Sequence, residues 1–435
     1  MILLKGDYIM KKSLIAIAAT ALSIGGLVGC GNSTDSASQS GNSTTNPAQT
    51  TEDGKVQIKM WLDYDTYAEA LEEAVEAKYS NIDIVWEHVE STDARTKLEL
   101  DGPAGVGPDI FIQPHDGMAQ SIQGNILLPL GADLAANLEG RFIESAVETV
   151  KSGDQYYGIP ISTESIALFY NKTLLDENGF DVATSFEEVK AQGDVFNNAA
   201  ENKFIMRFEA GNAYTAHFFL TAFGYELFGP DHTDPDAINF DSEEAIAGLT
   251  YYQSMKDYLP VPYADLTIDT VEVEFAKGTV PYIIVGPWAI SEIKANADFE
   301  WGITSIPTIN GVQPLSFSGN IIACMSAYTQ NPTETRQVLD FMASDEGLEI
   351  LYKVRGSIPA LQDPTVIDGL SEDDYVMGVL KQAEFSEPMP SIPEMASFWA
   401  PAETLYRSIW EGLENPEQAA KKAVEDYYST LKLVE

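Results

Sequence analysis

The sequence predicts an α/β fold made of two lobes that face one another across a cleft. Three observations carry that expectation. Short apolar runs of strand length alternate with amphipathic helical segments, the alternation keeps no fixed period, and the body that bears it is long enough for two cores. A fixed period would have indicated a solenoid or propeller, and eight regular βα units a barrel. Neither pattern is present.

The elements follow in order. Val56 to Trp61 has strand character, and the spacing of Tyr67, Leu71, Ala74 and Val75, with Glu72, Glu73 and Glu76 between them, predicts a helix over 67–79. Ile82 to Trp86 predicts the next strand and Asp109 to Gln113, after the turn Gly107-Pro108, another. Strands joined through helices in this way point to a mostly parallel sheet. Farther on, Tyr157 to Ile161, Ala167 to Tyr170 and Val280 to Val285 are strand-like. Phe186 to Gln192, Ala245 to Tyr258, Thr333 to Ala343 and Pro416 to Leu433 have helical periodicity.

The N-terminal region has a different character. Lys11 and Lys12 precede the apolar run Leu14 to Leu27, which ends at Leu27-Val28-Gly29-Cys30. A basic segment, a short apolar stretch and small residues at the cleavage point are the parts of a secretory signal, here residues 1–29. The run is too short for a permanent membrane span. Its end resembles a lipobox, which makes Cys30 the expected lipidation site. Met10 is an alternative start to Met1. From Cys30 to about residue 54 the chain is dominated by Ser, Thr, Asn, Gln, Gly and Ala, with no aromatic residue. Such a stretch buries too little apolar surface to offset its ordering entropy, so a flexible tether is expected.

Composition narrows the function. The formal net charge is −42, which excludes the basic surface that nucleic acid requires and disfavours anionic ligands. With Cys30 lipidated, Cys324 has no partner for a disulfide; its setting, Ile321-Ile322-Ala323-Cys324-Met325, is that of a buried structural thiol. No P-loop, Cys-x-x-Cys, His-Glu-x-x-His or Gly-x-Ser-x-Gly pattern occurs, and the four histidines are scattered. Asp231, Asp234 and Asp236 cluster without the glycine and terminal glutamate of a calcium loop, so they are expected to form a solvated turn. No cofactor is expected.

What remains is a set of aromatics and carboxylates at strand ends. Trp61, Asp63 and Asp65 follow the first strand, Asp116 follows Ile110 to Gln113, Glu164 follows Ile159 to Ile161, and Trp288 follows the Val280 strand. Ligands of open α/β sheets bind beyond the carboxyl ends of strands. Flat rings cover the C–H faces of a pyranose, and carboxylates accept its hydroxyl protons. Each tryptophan taken alone is equally well explained as core.

Several separated segments carry a family resemblance over about residues 55–430. They are Gly107-Pro108-Asp109-Ile110; Ile159-Pro160-Ile161 through Glu164 to Tyr170-Asn171-Lys172; Phe275-Ala276-Lys277-Gly278 through Gly286-Pro287-Trp288-Ala289; Ser344 to Glu349; and Met389-Pro390-Ser391-Ile392-Pro393-Glu394-Met395 with Phe398-Trp399. In these the chain resembles the maltose/maltodextrin-binding proteins, receptors of carbohydrate importers. The resemblance implies a periplasmic-binding-protein-like fold with discontinuous lobes, 55–162 with 318–368 and 163–317 with 369–435. Crossings are expected near Ser162 to Ser165, near Phe317 to Asn320 and between about Pro364 and Asp374. It also implies a first-lobe wall of Trp61, Asp63 and Asp65, hydroxyl-accepting carboxylates at Asp116 and Glu164, and stacking platforms at Trp288 and Trp399. A third platform falls at Tyr214, or at Ala213 on the alternative alignment.

The implied function is capture of a maltodextrin-type oligosaccharide by lobe closure and delivery to the permease of an ABC importer, with no bond broken. The receptor would be a monomer, lipid-anchored on the outer face of a bacterial cell membrane. Cyclodextrin or another neutral oligosaccharide is an alternative cargo. A secreted glycosidase is the alternative from another class, since paired carboxylates with aromatic subsites also suit that chemistry. Gln113, Gly117, Thr66 and Glu403 stand where the family carries aromatic or basic groups, which leaves the chain-length preference open.

Overall fold

A computed structural model describes residues 50–51 and 53–434. The expected signal, Cys30 and most of the expected tether lie outside them. The tether's last residues are folded: Thr50 bridges to Val56, and Thr51 Oγ1 accepts from the Lys55 amide at 3.0 Å, forming a turn that leads into the first strand.

Twelve strands follow. They are β1 Val56–Leu62, β2 Ile82–His88, β3 Ile110–Pro114, β4 Lys151–Ser152, β5 Gln155–Tyr156, β6 Gly158–Ser165, β7 Ala167–Asn171, β8 Met206–Phe208, β9 Tyr282–Val285, β10 Trp301–Thr304, β11 Ser316–Met325 and β12 Ser386–Pro388. Two sheets organise them, with β4 and β5 forming a separate small hairpin. The first has the order β12-β11-β3-β1-β2, with β6 also on β11, and the second the order β10-β7-β9-β8.

The sheets are mixed where the alternation of elements predicted mostly parallel pairing. β1 pairs β2 and β3 in parallel, as helical connections require, and the ten-residue β11 returns antiparallel to both β3 and β6. The antiparallel partners belong to chain that passes from one sheet to the other and back. Along this passage Ser318 pairs with Ser165, Gly319 with Glu164 and Asn320 with Thr163.

Each sheet is a packing layer. In the second, alternate residues feed different cores. Ala167, Phe169, Ile283 and Val285 join the hydrophobic cluster that holds Val271, Phe275, Ile293 and Val376, while Leu168, Tyr282 and Ile284 join a separate aromatic-rich core with Phe208, Phe219, Tyr252, Tyr406 and Trp410. The two-residue period of a strand makes this division possible, and it accounts for the unbroken apolar runs of β7 and β9. Helices cover both sheets, including Asp65–Lys78 and Pro332–Met342 in the first half and Phe186–Phe196, Glu243–Ser254, Met395–Glu411 and Pro416–Val434 in the second. Apart from Met395–Glu411, for which no helix is predicted, these lie within a few residues of the ranges that periodicity predicts. Among the described residues no helix is long and apolar enough to cross a membrane.

Candidate functional site

The site forms where strands of the first sheet end and the passage between sheets begins. Asp63 is the first residue after β1, Glu164 is next to last in β6, and Asp116 lies in the single 3-10 turn His115–Gly117 that follows β3. The turn is fixed from behind. His115 is fully buried, donates from Nε2 to the Met389 carbonyl (3.0 Å) and accepts the Asn320 amide at Nδ1 (3.1 Å). Those two bonds define a neutral imidazole, and burial holds its pKa below the ordinary value.

Aromatic residues arrive from the second half. The 3-10 turn Pro287–Ala289 presents Trp288, whose ring folds back over its own approach strand. Only glycine permits this at position 286, because a Cβ there would sit 2.0 Å from the ring. Trp288 Nε1 donates to Glu272 Oε1 at 3.1 Å. Asn212 caps the short helix Ala213–Ala216, accepting the Tyr214 amide at 2.8 Å and donating to Glu209 at 2.9 Å, which fixes Tyr214. Trp399 flanks the buried stripe of helix Met395–Glu411 and stays half-buried, with its Nε1 donating to Asp116 Oδ2 at 2.9 Å.

These groups form one connected series. Trp288 and Tyr214 have ring centroids 6.3 Å apart, Tyr214 and Phe317 lie 6.1 Å apart, and Phe317 and Trp399 6.1 Å apart. Trp399 then reaches Asp116. Burial raises the Tyr214 phenol above its ordinary pKa, and the negative charges of Glu164 and Asp116, which face it, raise it further. Six of the eight sequence-expected residues are therefore brought together: Asp63, Asp116, Glu164, Tyr214, Trp288 and Trp399. Ala213, the alternative to Tyr214, is fully buried.

The other two are placed elsewhere. Trp61 is fully buried, donates from Nε1 to Glu87 Oε2 (3.1 Å) and lies beneath the Lys97 ammonium, 4.1 Å from the ring centroid. Its position in β1 turns the indole under helix Ser91–Asp101, so it packs the first half and does not face the ligand wall. Asp65 opens helix Asp65–Lys78, is exposed, and pairs with His88 at 2.7 Å. Asp109 is structural, accepting the Lys59 amide at 2.8 Å and the Thr329 hydroxyl. Gln113 is buried, accepting from Ser121 and touching Cys324, and burial pushes the Cys324 thiol up to about 12.

Four residues complete the site without having been expected there. Arg355 donates to Asp63 Oδ2 at 2.9 Å and to Glu164 Oε1 at 3.2 Å, with all three side chains nearly dry. Burial raises the Glu164 pKa and the Arg355 charge opposes that rise, while Asp63 adds to it. Phe317 bridges Tyr214 and Trp399 and stacks on His217, 3.8 Å between centroids. Glu272 and Glu209 are both pushed up to about 7, chiefly by burial, and each feels the other acidic groups of that wall. A signal for Arg355 was available, since it is one of only 25 Lys and Arg residues and stands directly before a glycine. Nothing in the local sequence marks Glu272 apart from other helix glutamates. Among the described residues no group of three His, Cys, Asp or Glu side chains could hold a metal ion.

Two α/β halves joined by paired passage strands, with aromatic rings and carboxylates gathered at the junction, define a receptor for a small polar ligand. The chain belongs to the bacterial extracellular solute-binding protein family, whose model matches residues 67–368. It is 27% identical to the maltodextrin-binding protein MdxE of Bacillus subtilis, over 96% of each chain. It is 26% identical to a galactooligosaccharide-binding protein of Bacillus subtilis, over 86% of this chain and 90% of that one. A solved structure of a cyclo/maltodextrin-binding protein complexed with maltotetraose superposes with a TM-score of 0.69 at 29% identity, covering 90% of this chain and 99% of the other.

Proposed function

We propose that the chain is the extracellular receptor of an ABC importer and takes up maltodextrin-type oligosaccharides. The observation that carries this reading is the unbroken series Trp288, Tyr214, Phe317, Trp399 and Asp116, with Glu164 facing Tyr214. It supplies rings for the apolar faces of successive pyranoses and carboxylates for their hydroxyl rims. A net charge of −42 suits a neutral ligand. The relatives and the structural neighbour are named for maltodextrin or other neutral oligosaccharides.

The two halves, 55–162 with 318–368 and 163–317 with 369–435, act as lobes. Sugar touching both favours the form in which they close, because only that form makes both sets of contacts. The closed form is what the permease recognises, and the sugar leaves intact. Cys30 carries the lipid that keeps the monomeric receptor on the outer face of the membrane. Cys30→Ser is expected to move the protein from the membrane to the soluble fraction with its sugar affinity unchanged. The galactooligosaccharide-binding relative favours a second cargo of the same neutral class.

Incubation with maltotetraose followed by chromatography tests the receptor reading. Stoichiometric co-elution of intact sugar supports it. Accumulating reducing ends would instead establish a glycosidase.

A further inference from the structure

Among the described residues Arg355 is the cation that pairs with two nearly dry carboxylates. It ends a π-helical turn, Leu351–Arg355, a geometry that recurs at functional sites, and Gly356 follows at φ +77°. A Cβ on Gly356 would lie 2.7 Å from Ser291 Oγ, so the backbone that aims Arg355 is held closely. The guanidinium then gathers three chain segments. It donates to Asp63 at the end of β1, to Glu164 on β6 and to the Ser357 hydroxyl. The side chains of Arg355 and Asp63 are 8% and 7% exposed, yet Asp63 Oδ1 is buried with no hydrogen-bond partner.

Two carboxylates and one guanidinium leave this cluster with one surplus negative charge and one idle acceptor. A second cation would answer the charge, but none among the described residues faces it; the other ionisable groups turned toward the cluster there are the Tyr67 and Tyr214 phenols. A neutral hydroxyl would answer the acceptor without adding charge.

We propose that Arg355 is a positioning residue of the sugar site, clamping Asp63 and Glu164 in one fixed arrangement so that the idle Asp63 Oδ1 accepts a ligand hydroxyl. This rests on the oligosaccharide-receptor reading and names a determinant of it. The clamp selects hydroxyl donors over anions, and it fixes the acceptor before the ligand arrives, so little is lost in ordering it on binding.

The test compares wild type with Arg355→Lys, Arg355→Met and the double variant Arg355→Met/Glu164→Gln. Affinity for the best sugar of a neutral panel and thermal stability are measured from about pH 5.5 to 8.5. Without the guanidinium, Asp63 and Glu164 repel, and Glu164, already raised by burial, takes up a proton at higher pH. Arg355→Met is therefore expected to bind about tenfold or more weakly at neutral pH. Its affinity should recover partly as pH rises, and Arg355→Lys should fall between it and wild type. The double variant removes the repulsion and is expected to regain stability without regaining affinity. Wild-type affinity in the double variant, or a flat pH profile in Arg355→Met, would overturn the proposal. A ligand-free carboxyl titration by NMR separates the two claims. If no neutral sugar binds wild type, the cargo reading fails. The Glu164 inflection then still decides the clamp: an upward move in Arg355→Met supports it, and an unmoved inflection overturns it.

Discussion

Replacing Trp399 by alanine removes two separable contributions. The indole is half-buried against Phe398 and Phe317, with centroids 5.1 and 6.1 Å away, and its Nε1 donates to Asp116 at 2.9 Å. Complete loss of a buried tryptophan costs about 3–5 kcal/mol, so roughly half of that applies to a half-buried one. The bond to a carboxylate adds about 1.5–3 kcal/mol, toward the lower end because water can reach the site. Trp399→Ala should therefore destabilise the protein by about 3–4 kcal/mol. The contribution to binding is different. One pyranose face covering about 50 Å² of ring gives about 1.2 kcal/mol from area, and an aromatic face adds about 1 kcal/mol. Together these predict a loss of roughly thirtyfold in affinity. Trp399→Phe keeps most of the face and loses the donor, so it should lower stability while changing affinity less than about tenfold. Calorimetric titration and thermal unfolding of both variants read the two quantities separately. An alanine variant that binds as wild type while losing stability would refute the stacking role and return Trp399 to the core.

Other consequences follow from the same geometry. Trp61→Phe loses the bond to Glu87 and weakens the Lys97 contact; it should cost about 2–3 kcal/mol in unfolding free energy and leave sugar affinity unchanged, as chemical denaturation and titration would establish. Glu272 has a folded pKa of about 7 against an ordinary 4.5, so between these values the folded chain holds a proton that the unfolded chain releases. That contribution is present at low pH and lost as pH rises through about 7, on the order of 1–3 kcal/mol after allowing for partial exposure. Glu272→Gln should accordingly gain stability relative to wild type as pH climbs from about 5 to 8, measured as the difference between two melting profiles. Cys324 is fully buried with its thiol pushed up to about 12, so a thiol reagent should leave it unmodified in the native protein and label it once unfolded.

Much of the fold is legible in the sequence because period and punctuation are local. The apolar spacing from Tyr67 to Val75 and the runs at Ile82 and Val280 mark elements that the structure places within a few residues. The direction of β11 is not local. Its apolar residues permit either pairing, and only its role as a return passage between the sheets makes it antiparallel to β3 and β6. The same limit governs the site. Asp116, Glu164 and Trp288 are recognisable because each lies within three residues of the end of a strand. Trp61 occupies an equivalent position in sequence, yet the two-residue strand period and the cover of helix Ser91–Asp101 turn it inward. Arg355 is separated from Asp63 by 292 positions, so no local pattern could have joined them. Glu272 owes its raised pKa chiefly to burial, which other segments packed around its helix supply, with the charges of Asp269, Glu292 and Glu209 adding to it.

The central claim is that the junction holds a neutral oligosaccharide. Isothermal titration of the wild-type protein against maltose, maltotriose, maltotetraose, a cyclodextrin and a galactooligosaccharide tests it most directly. The account predicts saturable one-to-one binding of a maltodextrin, stronger than of the galactooligosaccharide, with the sugar recovered intact. Heat-silent titrations with every glucan, beside tight binding of a charged or non-sugar solute, would contradict it.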